Sequence, residues 1–423
     1  IRRPPRSTLS SSSAASDVYK RQDKILKNCN SLNYKKLKAA GIDSAENVTR
    51  EIFTSRVPFT TKSEIVTDHA NNNPFGSNLA LDQYLYPKFS KTSGTSSKPI
   101  FWVDSMDDWN HMLDAWSIIF NHAGLNPKVD RLFFAFSFGP FLGFWTAYEA
   151  ASKMQFMTIP GGGLNSNGRL ELLADTSASV LLCTPTYALR LGKLLTDKYK
   201  INVKKIIVAG ESGGSIPEVK QKISQLWRNV EVIDHHGMTE VGPVTYQDQK
   251  RTSHLNMLPG FHLAEVIDPK SEQEVNYGET GELVLTTLKR SDNALLRYKT
   301  GDIVEKGNIK INGIDTLTFR NGILGRNDDM HIIRGVNIFP SSIDAIIQKY
   351  DTIEEYRVLV FTLNSMKEIE LNIELNDSSV EPEIIKSLSN DFNSTLSLRI
   401  PIRVVPHGTY EKYEFKATRW INK

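Results

Sequence analysis

Hydrophobic positions in the middle of the chain alternate between a helical repeat and short runs of strand length. From Trp109 to Phe120 the large apolar residues recur at intervals of three and four, which predicts a long amphipathic helix. Four short apolar runs follow, at 131–136, 180–183, 205–208 and 230–234. Helical patterns, such as the one from Tyr187 to Asp197, lie between them. Strands that alternate with helices predict an α/β layer structure with a largely parallel sheet.

The two ends of the chain have different patterns. Residues 23–86 are polar and helix-like and predict a peripheral layer. Near the other end, Pro340 begins a predicted helix, with Ser341 or Ser342 as its N-cap. The elements predicted after it are strands at 356–362 and 368–375, a helix at 381–396 and a last strand at 402–405. The sequence therefore predicts a large α/β domain at 23–325 and a small α+β domain at 326–423.

Composition excludes several classes of protein. The length of 423 residues favours more than one domain. Hydrophobic residues make up 40% and charged residues 23%, which is ordinary for a globular protein and excludes a mostly disordered or repetitive chain. Its two cysteines exclude a disulfide scaffold and a four-cysteine zinc site. No apolar run reaches the roughly 18 residues that a membrane span requires. We expect a cytoplasmic protein without a membrane anchor.

The basic charge comes from the first 22 residues. This segment is rich in Arg and Ser and contains five basic residues and one acidic residue, so the rest of the chain has 46 basic and 47 acidic residues. It resembles a transit peptide in composition, but it begins at Ile1 and looks like translated cloning sequence. We expect residues 1–22 to be a non-native tail. The remaining net charge of −1 gives no reason to expect a nucleic-acid partner.

Small and polar residues cluster where phosphate chemistry would need them. Residues 91–99 combine hydroxyls, Gly94 and Lys98, which suits a phosphate-binding loop but equally suits a flexible linker. The loop lacks the spacing of a Walker A motif. Glycine clusters at 160–163 and 210–215, and the segment 235–240, each follow a strand-like run. Because ligands bind at the carboxyl ends of parallel strands, these placements favour one composite site.

Several single residues in these segments could have either a functional role or a purely structural one. Glu240 could hold Mg²⁺ against phosphate oxygens, or it could be a solvated loop acid. Asp302 could accept bonds from ribose hydroxyls, or it could cap a turn. Arg326, with Asp328 and Asp329, could belong to a site or to a salt-bridged turn. His235 and His236 are adjacent in sequence without a nearby third ligand, which disfavours zinc.

The segment from Phe133 to Trp145 is unusually rich in aromatic residues. Core packing would account for at least half of these side chains. An apolar or aromatic acyl pocket is the alternative, with Phe136, Phe138 and Phe141 as its lining.

Taken together, these segments resemble the adenylate-forming enzymes, and in particular the phenylacetate–coenzyme A ligase branch. The resemblance spans about residues 33–419 and rests on six segments in a consistent order: Thr92-Ser-Gly-Thr-Ser-Ser-Lys-Pro99, Ala209-Gly-Glu-Ser-Gly-Gly-Ser215, Asp234-His-His-Gly-Met-Thr-Glu-Val-Gly242, Arg297-Tyr-Lys-Thr-Gly-Asp302, Gly325-Arg-Asn-Asp-Asp-Met330 with Ile333 to Pro340, and Glu414-Phe-Lys-Ala417. It implies a large N-terminal adenylate-forming domain of mostly parallel sheets and helices. A small mobile α+β domain would rotate about Asp328.

The resemblance also implies roles for individual residues. It assigns Lys416, Thr239, Glu240 and Lys98 to catalysis, with Glu240 as the magnesium ligand and Asp328 as the hinge. The residues that it assigns to ATP or AMP binding are Ser93, Gly94, Thr95, Ser96, Gly210, Glu211, Ser212, His235, His236, Gly237, Met238, Asp302 and Arg326. Four positions depart from the usual pattern: Ser97 replaces Gly, Ser212 replaces Pro, His236 replaces an adenine-stacking Tyr, and the surroundings of Lys416 contain little Gly.

The implied reaction is the ATP-dependent activation of a carboxylic acid. An acyl-adenylate would form first, and coenzyme A would then displace AMP, with ATP, Mg²⁺ and coenzyme A as cofactors. Two alternatives stay open: transfer of the acyl group to a carrier-protein thiol or an amine, and a nucleotide-binding homologue without catalysis. A homodimer is compatible with the resemblance but does not follow from it.

Overall fold

The computed structural model describes residues 25–44, 48–92, 99–211, 213–249, 251–311, 313–334, 336–363, 366–410 and 419–423. None of the helices in these ranges is both long and apolar enough to cross a membrane.

Ten α-helices of at least seven residues lie within the described ranges. They are α1 (Leu32–Ala39), α2 (Arg50–Arg56), α3 (Lys62–Asn71), α4 (Met106–His122), α5 (Leu142–Lys153), α6 (Ser166–Asp175), α7 (Pro185–Lys193), α8 (Pro217–Leu226), α9 (Pro340–Ile347) and α10 (Glu381–Leu396). The helix α4 confirms the repeat from Trp109 to Phe120, and α10 has the predicted bounds. The helix α7 begins two residues earlier and ends four residues earlier than predicted.

The strands are β1 (Lys88–Lys91), β2 (Phe101–Asp104), β3 (Arg131–Phe134), β4 (Met157–Pro160), β5 (Val180–Cys183), β6 (Lys205–Val208), β7 (Glu231–Asp234), β8 (Gly237–Met238), β9 (Gly242–Pro243), β10 (Thr245–Asp248), β11 (Arg251–Met257), β12 (His262–Ile267), β13 (Thr280–Thr287), β14 (Tyr298–Ile311), β15 (Ile314–Arg326), β16 (His331–Ile333), β17 (Val336–Ile338), β18 (Ile353–Leu363), β19 (Met366–Leu375), β20 (Ile402–Val405) and β21 (Trp420–Asn422).

A five-stranded parallel sheet of order β4-β3-β5-β6-β7 forms the centre of the α/β layer. Its strands are short, and the central ones are largely buried; Val180–Cys183, for example, has no exposed residue. Burial on both faces is typical of parallel strands covered by helices. One apolar cluster on α4, α5 and β3 and a second on α6, α7 and α8 cover the sheet. The predicted α/β fold class is therefore confirmed.

A second, antiparallel sheet was not identified from the sequence. It has six strands in the order β10-β11-β15-β14-β13-β12 and packs around Leu283, Leu285 and Phe319. Its longest pairing, between β14 and β15, sets Asp302 directly opposite Arg326. This sheet therefore brings together two residues that lie 24 positions apart in the sequence.

The C-terminal residues form a four-stranded sheet of order β20-β19-β18-β21, on which α9 and α10 pack. The helix α9 begins at Pro340, as predicted, but its N-cap is Phe339, and no side chain caps it. The prediction of Ser341 or Ser342 as the N-cap is therefore wrong. Proline takes the first helical position because its fixed φ fits there, and the Ser341 hydroxyl instead donates to the carbonyl oxygen of Leu324.

Candidate nucleotide-binding site

Two sequence-predicted segments leave the same edge of the parallel sheet. The strands β6 and β7 are neighbours, and Val208 and Asp234 are partners at their carboxyl ends. The hydroxyl of Ser215 donates to Oδ2 of Asp234 at 2.6 Å, which joins segment 209–215 to segment 234–240. A Cβ atom on Gly214 would lie 2.3 Å from Oδ1 of Asp234, so this close approach requires glycine.

Three further candidates, one from each of three different sequence motifs, meet beside this edge. Nε2 of His236 lies 3.2 Å from Oδ2 of Asp302. Nη1 of Arg326 donates to Oδ1 of Asp302, also at 3.2 Å. The predicted adenine-stacking ring, the predicted ribose ligand and the predicted phosphate-side arginine therefore form one cluster.

The carboxyl group of Asp302 stays ionised in this cluster although it is 4% exposed. Burial alone would raise its pKa, but His236 and Arg326 outweigh burial, and the pKa of Asp302 lies below its ordinary value. His236 and Arg326 also fix the position of this side chain, and the hydroxyl of Thr300 accepts a hydrogen bond from the backbone N–H of Asp302 at 3.0 Å. Asp302 is therefore a fixed anionic acceptor.

Arg326 also contacts the predicted hinge residue. Its Nε and Nη2 atoms donate to the two carboxylate oxygens of Asp328 at 2.8 and 3.2 Å. The nearby carboxylates, with Asp302 first among them, raise the pKa of Arg326 despite its burial, so the guanidinium is always charged. A Cβ atom on Gly301 would lie 2.8 Å from Nη2 of Arg326, and Gly301 has a φ of +78°. Glycine is therefore needed where the arginine crosses the strand.

Glu240 is a buried carboxylate, 3% exposed, on the turn after β8. The hydroxyl of Tyr298 donates to its Oε1 at 3.3 Å. Burial and the charge of Glu240 raise the pKa of Tyr298 well above its ordinary value, so this phenol remains a donor. The contact joins the segment 234–242 to the segment 297–302. Tyr298 is a partner of the site that sequence reasoning did not single out.

A single carboxylate fits the way in which proteins bind Mg²⁺ beside a nucleotide. Within the described ranges, no group of three or more His, Cys, Asp or Glu side chains is placed to hold a metal ion. Magnesium commonly takes one or two carboxylates and completes its shell with waters and substrate phosphates. Glu240 could supply that carboxylate only together with a phosphate ligand.

Thr239 is held by a residue that the sequence analysis missed. Nη1 of Arg290 donates to the carbonyl oxygen of Thr239 at 2.5 Å. Arg290 also forms a buried, bidentate ion pair with Asp104. No local pattern indicated this contact, because Lys289 and Arg290 look like an ordinary polar turn and Asp104 lies 186 positions away.

The two histidines after β7 have different environments. His235 is 5% exposed, its ring lies 4.5 Å from that of Trp116, and its Nδ1 bonds the carbonyl oxygen of Thr245 at 2.8 Å. Burial lowers the pKa of His235 to about 3, so this ring is neutral. Gly237 and Met238, which follow, form the short strand β8. His235 thus supports the loop from the core side, whereas His236 faces Asp302.

Gly210 and Glu211 lie at the predicted adenine edge, after β6. Gly210 has a φ of +88°, and Oε2 of Glu211 accepts a hydrogen bond from the backbone N–H of Thr186 at 3.2 Å.

The residues at the base of the predicted phosphate loop belong to the described part of the chain. Thr92 and Ile100 close it with two hydrogen bonds, each 3.0 Å long, at the end of the β1–β2 hairpin.

Several predicted residues lie outside the described residues. They are Ser93, Gly94, Thr95, Ser96, Ser97 and Lys98 of the loop, Ser212, and Lys416 near the C-terminal end. Their predicted roles stay predictions.

The aromatic segment is partly a packed cluster. The ring of Phe136 stacks on Phe144 with centroids 4.7 Å apart, and Phe138 lies 4.4 Å from Phe136. Phe141 is 42% exposed and precedes α5. The structure therefore brings Phe136 and Phe138 together, whereas the side chain of Phe141 is exposed.

Comparison with known proteins gives one family and several relatives. A family model described as the AMP-binding enzyme C-terminal domain matches residues 335–423. The phenylacetate-coenzyme A ligase of Pseudomonas putida is 25% identical over 383 residues, which cover 87% of this chain and 84% of that protein. The protein of the same name from Escherichia coli K12 is 26% identical over 400 residues, which cover 91% and 88%.

Solved structures show the same fold. The structure of 2-hydroxyisobutyryl-CoA ligase in the postadenylation state, in complex with R3-HIB-AMP, matches with a TM-score of 0.87 at 23% identity. The match covers 100% of this chain and 94% of that one. The same enzyme in complex with 2-HIB-AMP and CoA, in the thioesterification state, matches with a TM-score of 0.69 at 23% identity over the same shares.

The fold, the ordered motifs and the homologues together define the class. The C-terminal family match and the homologues support the predicted resemblance to the adenylate-forming superfamily. Within that superfamily they support the phenylacetate–coenzyme A ligase-like branch, because homologues of that name match over most of the chain.

Proposed function

We propose that this chain is an AMP-forming acid–thiol ligase, which activates a carboxylic acid with ATP and transfers the acyl group to coenzyme A. The observation that carries the proposal is the cluster of His236, Asp302 and Arg326, in which both carboxylate oxygens of Asp302 have a cationic or imidazole neighbour at 3.2 Å. The homologues named phenylacetate-coenzyme A ligase support this activity.

The cluster suits a nucleoside monophosphate. The imidazole of His236 offers a face on which adenine can stack, although it is smaller than the usual tyrosine ring. The Asp302 carboxylate can accept hydrogen bonds from ribose hydroxyls, because Arg326 and His236 hold it in its ionised form. Arg326 is 31% exposed on its side chain, so its guanidinium can also reach a phosphate oxygen.

The first half-reaction brings two anions together. A carboxylate oxygen of the acid forms a bond to the α-phosphorus of ATP, and the bond from that phosphorus to the bridging oxygen of pyrophosphate breaks. Thr239 would donate to a phosphate oxygen, and Lys98 and Lys416 would neutralise charge that builds on the phosphates. Magnesium, when held by Glu240 and the phosphates, supplies further charge neutralisation.

In the second half-reaction the sulfur of coenzyme A attacks the acyl carbon, and AMP leaves with the oxygen that joined it to the acyl group. No covalent enzyme intermediate is required. Cys183 does not suit a nucleophile, since it is fully buried and its burial raises the pKa of its thiol.

The aromatic side chains support an aromatic or otherwise apolar acid as the substrate. From Phe138 the rings continue through Phe136, Phe144 and Trp116 to His235, with centroids 4.4 to 6.4 Å apart. A packed aromatic cluster therefore extends up to the loop that carries Thr239 and Glu240. Phe136 and Phe138 are the candidates to set acid specificity.

The arrangement of the two predicted domains supports an adenylation-side conformation. The chain matches the postadenylation structure of 2-hydroxyisobutyryl-CoA ligase better than its thioesterification structure, with TM-scores of 0.87 and 0.69. Lys222 on α8 contacts Asp351 after α9, and Nζ of Lys193 lies 3.5 Å from the carbonyl oxygen of Glu354. These contacts tie α7 and α8 to the small domain. Rotation about Asp328 would have to break them.

A direct product assay tests the proposal. Protein lacking residues 1–22 is incubated with ATP, Mg²⁺, coenzyme A and a panel of aryl, arylacetic and short aliphatic acids, and AMP and acyl-coenzyme A are detected by mass spectrometry. We expect AMP and a thioester in equal amounts for an apolar acid. AMP formation that depends on a carrier protein or an amine instead of coenzyme A would favour the alternative acceptor. ATP binding without turnover of any acid would favour the non-catalytic homologue.

A further inference from the structure

A buried ion pair connects two parts of the candidate site that are distant in sequence. Asp104 ends β2 and is 0% exposed, and Arg290 follows β13 and is 3% exposed. Nε of Arg290 donates to Oδ1 of Asp104 at 2.5 Å, and Nη2 donates to Oδ2 at 2.7 Å. The remaining arm of the guanidinium, Nη1, donates to the carbonyl oxygen of Thr239 at 2.5 Å. The side chain of Arg290 thus contacts both β2 and the turn that carries Thr239 and Glu240.

The contact with Thr239 fixes a peptide plane. The carbonyl of Thr239 and the N–H of Glu240 belong to one planar peptide unit, so a donor that holds the oxygen also orients the bonds leading to both side chains. The guanidinium is itself planar and is held by three hydrogen bonds, and its centre lies 5.1 Å from the ring of Trp102. Its position therefore leaves the Thr239–Glu240 peptide little freedom.

The contact with Asp104 attaches the same guanidinium to the β1–β2 hairpin. Strands β1 and β2 form the hairpin that carries the loop at 93–98, and Thr92 and Ile100 close the base of that loop. The residues after Arg290 add to this attachment. The Asn293 amide donates to the Val103 carbonyl oxygen at 3.2 Å, and the Ser105 hydroxyl donates to Asp292 at 2.6 Å.

Stability alone is a weak reason for such a pair. Removing two charges from water costs free energy that their attraction often only balances, and well-packed apolar residues can replace buried ion pairs without loss of stability. What apolar residues cannot replace is the directional bond to the carbonyl of Thr239. This bond is the part of the arrangement that bears on function.

We propose that Arg290 is a positioning residue that sets the distance and orientation between the phosphate-loop hairpin and the Thr239–Glu240 turn. It acts through Asp104 on one side and through the Thr239 carbonyl on the other. The ligand whose binding depends on this arrangement is the magnesium-bound triphosphate. This inference rests on the proposed function, because it is the adenylation step that needs both elements in register.

The test compares Arg290→Met combined with Asp104→Leu against Lys306→Met. The double variant removes the bond to Thr239 without leaving a buried charge unpaired. Lys306 is a matched control, because it is also buried and bonds a carboxylate (Glu274) and a carbonyl (Val275), at 2.9 and 2.6 Å, away from the site. Arg290→Lys is the second variant if the double variant does not fold, since a lysine lacks the fork that reaches both partners.

Two readouts are measured, and each has its own expected result. We expect the Mg²⁺ concentration that gives half-maximal adenylation to rise about tenfold, as for the loss of one hydrogen bond to a charged group, while thioester formation from supplied acyl-adenylate changes less than about threefold. We also expect the backbone amides of residues 239–242 to exchange hydrogen faster, while those of 180–183 do not change. Lys306→Met should match the parent in both.

A folded double variant with the parent's Mg²⁺ dependence and parental exchange at 239–242 would overturn the inference. Equal losses in both half-reactions would also overturn it, because they would indicate general damage. Failure of the proposed function is a separate result, visible in the parent as an absence of adenylation with every acid. In that case the hydrogen-exchange comparison still decides whether Arg290 positions the turn.

Discussion

At the scale of single residues, the candidate site depends on groups whose charge state is set by their neighbours. Asp302 is kept ionised by His236 and Arg326, although it is buried. His235, one residue from His236, is kept neutral by burial against Trp116. Adjacent histidines thus have different tasks, and sequence alone could not assign them, because the distinction depends on which side of the strand end each ring faces.

Replacing the buried carboxylate should weaken nucleotide binding. Asp302→Asn keeps the shape of the side chain but removes the charge that would accept bonds from the ribose hydroxyls. We expect the dissociation constant of ATP to rise about 10- to 100-fold, as for the loss of hydrogen bonds to a charged group. Calorimetry measures it, with the exposed Asp315→Asn as the control. An unchanged ATP affinity in Asp302→Asn would exclude the ribose role.

The buried His235 should make the fold sensitive to acid. Its pKa is lowered to about 3 in the folded chain and is about 6.5 in an unfolded one, so only the unfolded chain takes up this proton between those values. Stability from this group is complete above pH 6.5 and is lost as the pH falls through that window. We expect His235→Asn, which retains a donor for the Thr245 carbonyl, to flatten the slope by up to about 1.4 kcal/mol per pH unit. Urea unfolding at pH 7, 6 and 5 measures it, and parallel slopes would contradict the prediction.

At the scale of elements, local patterns predicted what local forces determine. The repeat from Trp109 to Phe120 identified α4, and the four apolar runs identified strands β3, β5, β6 and β7. The six-stranded antiparallel sheet was missed because its pairing, such as Asp302 with Arg326, depends on long-range register. Individual motifs of the site were visible in sequence. The contacts that hold them, from Tyr298 and Arg290, were not, because tertiary packing alone brings these residues close.

The β1–β2 hairpin gives a prediction at this scale. Thr92→Val keeps the shape of the side chain but removes the acceptor of the buried Ile100 N–H, which costs about 1–3 kcal/mol when left unpaired. We expect the base of the loop to open and the KM for ATP to rise several-fold. Thr92→Ser, which keeps the hydroxyl, should remain close to the parent. Steady-state kinetics compare the two, and a parental KM in Thr92→Val would show that the loop does not need this closure.

At the scale of the whole molecule, the predicted function needs two arrangements of the small domain. The chain has the contacts of one arrangement, in which Lys222 reaches Asp351 and Arg326 bonds Asp328. Lys222 and Asp351 lie on opposite sides of the predicted hinge, and Arg326 and Asp328 lie at the hinge itself. The predicted rotation would break these polar contacts and replace them with others, and such exchanges are typical of hinge movements.

Removing the predicted catalytic lysine should separate the two half-reactions. Lys416→Ala takes away a cation that only the adenylation arrangement would bring to the phosphates. We expect adenylation to fall sharply, by at least about a hundredfold, and thioester formation from supplied acyl-adenylate to stay within a few-fold of the parent. Rapid-quench assays of each half-reaction measure this. Equal losses in both would show that the lysine assignment is wrong.

The central claim is that this chain activates a carboxylic acid with ATP, and ATP–pyrophosphate exchange without any thiol acceptor tests it most directly. The account predicts exchange that requires Mg²⁺, is stimulated by one class of apolar or aromatic acid, and is strongly reduced in Glu240→Gln. Folded protein that binds no ATP, or that binds ATP but shows no exchange with any acid of the panel, would contradict it.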